Sequence, residues 1–118
     1  MSEDITSFQS LQVEPDLLQK VLDQLYKDVN LSSEDLPWDA SLPNPYETFL
    51  AKFKEMVAYW YMNNRAQLLR VLYRVDVPQS KYERTLHTST SDTRIDKLTE
   101  LILNRVLQKV ITRIHLKP

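Results

Sequence analysis

Hydrophobic positions along the chain fall into three long helical repeats, separated by polar stretches marked with proline. Leu17, Leu18, Val21, Leu22, Leu25 and Val29 recur at helical spacing and predict a first helix over about 15–29. Pro15 and Asp16 suit its start: proline there gives up only a donor the helix leaves unpaired, and the acid meets the positive helix end. Before it, Ile5, Phe8, Leu11 and Val13 are scattered without a clean period, so residues 1–14 read as an N-terminal arm.

Residues 30–45 break the pattern. Pro37, Pro43 and Pro45 interrupt backbone donation, and Ser32, Ser33, Asp39 and Asn44 offer turn chemistry. The expectation is a Pro-rich strap laid over the bundle with Trp38 as its anchor; a short partner-binding motif is the alternative.

Asn44 as N-cap and Pro45 at the first helical position open a second helix, and no proline interrupts it before Pro78. A helix running to about Arg74 would be about 43 Å long, with Asn63 and Asn64, both weak helix formers, as the place to bend. Asp76 is expected to cap a short helix ending near Leu86. A Ser/Thr-rich loop over residues 87–91 follows, and Asp92 is expected to cap a last helix running to about Ile114. The predicted fold is all-α: one domain over residues 1–118, a helical bundle of three main helices plus a short one, with a long central helix.

That central helix carries two apolar stripes. Phe49, Phe53, Met56, Val57, Trp60, Leu68, Val71 and Val75 make the first. Tyr59, Met62, Ala66, Leu69 and Tyr73 make a second on nearly the opposite side. A helix apolar on two sides must bury both. Either the first and last helices cover one side each, or the second stripe meets another copy of the chain, with Ala66 permitting close approach and the tyrosines and methionine as anchors.

Charge divides the chain more sharply than its net value of −1 suggests. Residues 1–60 hold eleven acids against four bases, and residues 61–118 hold eleven bases against five acids. Neutralisation within one domain accounts for this, and so does a surface for nucleic acid or an acidic partner. On the last helix Arg105, Lys109, Arg113 and Lys117 recur every fourth residue and line one edge. That edge reads as a solvated flank whose stems cover core, or as a basic track for phosphates. Arg70, Arg74 and Asp76 are placed to form an ion-pair network against Glu100 or Arg105, fixing the junction between the long and final helices.

Chemistry is bounded by what is missing. The chain contains no glycine and no cysteine, where average usage predicts about eight glycines. This excludes glycine-rich phosphate loops, thiol nucleophiles, disulfides and thiolate metal sites. His87 and His115 have no spacing that pins them beside a nucleophile. Asp92, Asp96 and Glu100 share a helix face, yet no second acidic cluster completes an oxygen-rich metal site. No cofactor, metal or enzymatic activity is expected. No apolar run reaches the length of a membrane span, the acidic first residues do not read as a secretory signal, and the cytoplasm is the default location.

The run Leu68-Leu69-Arg70-Val71-Leu72-Tyr73-Arg74-Val75-Asp76-Val77, together with the run from Glu100 to Arg113, resembles segments of small uncharacterised all-helical bacterial proteins. The resemblance covers about a third of the chain and implies no activity. The expected function is a non-enzymatic protein–protein interaction or assembly module, plausible as a homodimer. The alternative is a nucleic-acid-associated protein using the basic edge.

Overall fold

The computed structural model describes residues 15–116; the N-terminal arm at 1–14 and Lys117 lie outside the described residues. The described chain is all-helical, with five helices: α1 Pro15–Val29, α2 Pro45–Asn63, α3 Arg65–Val75, α4 Gln79–Thr88 and α5 Arg94–Leu116. No strand occurs among the described residues.

The expected long helix is divided. Asn64, at φ −149° and ψ 69°, ends α2 and starts α3. Its N–H donates to the Trp60 carbonyl at 2.9 Å, and its side chain accepts from the Gln67 N–H at 3.2 Å. One asparagine thus satisfies an orphan donor at the head of α3 while closing the tail of α2. The break redirects the chain so that Leu68, Val71, Leu72 and Val75 enter the core beside Phe49, Phe53, Val57 and Trp60.

Centrality passes to α5, which packs against each of the other four helices. Its buried residues Leu98, Ile102, Leu103, Val106, Leu107 and Val110 form a double ridge. α1 lies against α3 and α5, burying Val21, Leu22 and Leu25. α4 has no fully buried residue and leans on the core through Tyr82 and Leu86.

A glycine-free chain must still end its helices. Asn30 and Asp76 are the two positive-φ residues among those described, at φ 58° and 72°. Each stands where glycine usually closes a helix, and asparagine and aspartate tolerate that left-handed conformation best among the rest. After α1, the Leu31 N–H reaches the Tyr26 carbonyl at 3.0 Å. After α3, the Val77 N–H reaches the Leu72 carbonyl at 2.9 Å. Asp76 therefore terminates α3 instead of capping α4, whose N-cap is Pro78. Asp92 does not cap α5 either: the helix begins at Arg94 after a Thr90–Thr93 turn, in which the Thr93 hydroxyl accepts from the Thr90 N–H.

The strap over 30–45 is held to its own core. Leu36 is fully buried, and its carbonyl accepts from the Tyr26 hydroxyl at 2.7 Å. Burial pushes the Tyr26 hydroxyl above its ordinary pKa, helped by the nearby Asp23 carboxylate. Trp38 is half-buried and packs edge-on against Phe49 at 5.8 Å.

Candidate protein-docking face

Four large apolar side chains of α2 and α3 stand in water. Tyr59 is 60% exposed, Met62 76%, Leu69 45% and Tyr73 85%, with Ala66 exposed between them. Among the described residues nothing encloses this stripe, so of the two alternatives the first, that the first and last helices cover one side each, does not hold. The physical reason lies at Asn64 and α5. With α3 turned inward and α5 at the centre, the core closes around the first stripe alone.

The five positions are separated by steps of three, four, three and four residues, the spacing of a coiled-coil seam. Asn64 interrupts the helix between Met62 and Ala66, and the stripe residues on both sides of it are exposed. Large apolar side chains of this kind carry about 200 Å² each, so the exposed fractions sum to about 500 Å² of exposed side-chain surface. Patches of that size on a monomer are commonly functional.

Three arginines flank the stripe. At 100° per residue Arg65 falls on one edge, with Arg70 and Arg74 on the other. Arg65 is laid over the Tyr61 ring at 4.0 Å, and its Nε donates to the Tyr61 carbonyl at 2.9 Å. Arg70 donates to the Gln67 side-chain oxygen from Nε at 3.1 Å and from Nη2 at 2.9 Å. A guanidinium has five N–H groups in a fixed fork, so both arginines are oriented while still offering donors to solvent.

Two residues of the basic edge of α5 are engaged within the fold. The Arg105 Nε donates to the Asp76 carbonyl and its Nη2 to Asp76 Oδ2, both at 2.9 Å. Lys109 Nζ meets Asp28 Oδ2 at 2.8 Å and the Arg74 carbonyl at 3.3 Å, while Gln24 holds the other Asp28 oxygen at 2.9 Å. Two of the four bases therefore clamp the C-terminal end of α3 against α5. Arg113 is exposed, and Lys117 lies outside the described residues. Of the expected ion-pair group, Asp76 meets Arg105; Arg70 engages Gln67, and Arg74 contributes its carbonyl.

Sequence reading overlooked Arg94. Its guanidinium donates to the Tyr61 hydroxyl at 3.1 Å, the Ser89 carbonyl at 3.1 Å and the Ser89 hydroxyl at 3.3 Å, joining α2 to the α4–α5 connection. A cation in the first turn opposes the helix dipole, so composition alone pointed away from it. Asp96, on the acidic face of α5, pairs with Lys54 of α2. His87 and His115 are both exposed near helix ends.

Among the described residues, no three His, Cys, Asp or Glu side chains are grouped to hold a metal ion. Nor is any described helix long and apolar enough to cross a membrane. The groove between α4 and α5, about 500 Å³, is open to solvent, and of its charged lining residues Lys81 and Arg105 the second is engaged by Asp76. Comparison of the chain with protein-family models, with curated proteins and with solved structures finds no match.

Proposed function

We propose that the chain is a non-enzymatic helical interaction module that docks a protein surface on the α2–α3 face. The observation that carries this reading is the bare seam of Tyr59, Met62, Ala66, Leu69 and Tyr73, on a fold whose remaining large apolar residues are mostly enclosed. Helix-in-groove recognition uses anchors at this spacing, and tyrosine and methionine are enriched at protein interfaces. A second copy of the chain and an unlike helix are the two surfaces that fit such a seam. The reading assigns no catalytic step.

Binding of nucleic acid through α5 draws less support, because Arg105 and Lys109 are already paired with Asp76 and Asp28. Phosphate contacts would have to displace those carboxylates.

Light scattering tests the docking reading. The chain is measured across concentration, alone and mixed with a leucine-seam helical peptide, beside the Leu69→Glu and Tyr73→Asp variants. A rise above the 14.0 kDa monomer, by self-association or peptide binding, that both variants abolish is the expected result. A wild-type chain that stays monomeric in every mixture overturns the reading. So does an association that neither variant affects.

A further inference from the structure

We infer that the α2–α3 face takes an acidic amphipathic helix from an unlike protein, gripped by the apolar seam and flanked by carboxylates that meet Arg65, Arg70 and Arg74. The inference rests on the docking reading and names the occupant.

The charge pattern carries it. From Met56 to Val75 the chain has three arginines, no lysine and no acid. In a chain that is 26% charged with nearly balanced signs, a single-sign stretch of this length around an apolar seam is a directional feature. Elsewhere in the C-terminal half two bases meet acids, Arg105 with Asp76 and Lys109 with Asp28, while Arg94 is held by the Tyr61 hydroxyl and Ser89. Arg65 and Arg70 instead engage neutral groups, the Tyr61 ring and carbonyl and the Gln67 amide oxygen. Those contacts orient the guanidinium groups, and no carboxylate among the described residues neutralises them. An oriented, un-neutralised guanidinium at the rim of an apolar strip is suited to a carboxylate, which it can grip through two parallel N–H donors.

The same pattern argues against a second copy. Two faces pressed together would bury about 1,000 Å² in all, the lower limit for a specific interface. They would also crowd six arginines around one seam, with no acid from either copy between Met56 and Val75 to separate them. Like charges brought together across an interface oppose association and suppress wrong partners. An acidic helix adds attraction where a second copy adds repulsion. At helical rise the stripe runs about 5 Å along α2 and about 11 Å along α3, with Asn64 between, so a partner helix of about four turns is long enough to span both.

Two labelled peptides of about 21 residues test this, identical in a leucine seam and differing only in flanking residues, glutamate in one and lysine in the other. Fluorescence anisotropy titrations are run at about 50 mM and about 500 mM salt, where screening lengths differ severalfold. Vesicles of anionic lipid form a third arm, and the oligomeric state of the free chain is recorded alongside. The expected result is a preference of about tenfold or more for the glutamate peptide at low salt, shrinking at high salt. Arg65→Glu with Arg70→Glu is expected to reverse that preference, and Tyr73→Asp to weaken both peptides. Circular dichroism confirms that each variant folds, and Tyr73, being 85% exposed, leaves the core untouched.

Equal binding of the two peptides, preference for the lysine peptide, dimerisation through this face, or vesicle binding that excludes the peptides each overturns the acidic helix. The first three leave the face as a protein-docking surface. A monomer that binds neither peptide overturns both readings.

Discussion

Lys109→Met separates a structural cation from a functional one. Asp28 is only 9% exposed at its side chain and Lys109 20%, so the substitution leaves a carboxylate nearly out of water with Gln24 as its remaining partner. Removing one member of a fully buried pair costs about 3–5 kcal/mol; the residual exposure here and the surviving Gln24 bond lower the expectation to about 2–3 kcal/mol. Loss of the Lys109 bond to the Arg74 carbonyl falls within that figure. Asp28→Asn is expected to cost only about 1 kcal/mol, because the lysine stem can swing its charge to water. The double variant is then less destabilised than the two singles added together, with a coupling of about 1 kcal/mol or more. Urea unfolding followed by circular dichroism reads all four proteins. A Lys109→Met cost below about 0.5 kcal/mol, or strict additivity, would refute the clamp and return Lys109 to the solvent-facing basic edge.

Further predictions bear on the fold and on its alkaline limit. Asn64→Ala removes the cap of α3 and favours an unbroken α2–α3 helix; thermal unfolding should show a loss of about 1 kcal/mol with helicity unchanged or raised. Burial raises the Tyr46 hydroxyl from an ordinary 10.0 to about 12. Its neutral form is favoured in the folded chain, so stability is fully present below pH 10 and declines as pH rises toward 12. Tyr46→Phe should flatten that decline in denaturant titrations at stepped pH, and an unchanged slope would place the loss elsewhere. Tyr73→Asp should leave the unfolding free energy within about 0.5 kcal/mol of the parent, as expected for a side chain outside the core.

Much of the helical pattern was legible in the sequence because it depends on local periodicity. The repeat from Leu17 to Val29 sits on α1 as the structure draws it, and the stripe residues Tyr59, Met62, Ala66, Leu69 and Tyr73 are all exposed on α2 and α3. What local pattern could not supply was direction. The asparagines at 63 and 64 allowed a bend or a break, and only packing of α3 against α1 and α5 distinguishes them. Asp76 carried the signature of a helix start, yet in a chain without glycine an aspartate also serves as the left-handed stop. The basic edge of α5 was legible as spacing, while its pairing with Asp76 and Asp28 depends on contacts 29 and 81 residues apart. Leu36 gave no advance signal, being one of three leucines in the strap, and it is more deeply buried than Trp38.

Hydroxyl-radical footprinting of the free chain and of its mixture with the glutamate-flanked peptide addresses the docking face most directly. In the free chain Tyr59, Met62 and Tyr73 should label fast beside the buried Tyr46. With peptide they should be protected severalfold while the half-buried Tyr82 is unchanged. Slow labelling of the three in the free chain, or protection that never reaches them, would contradict the account.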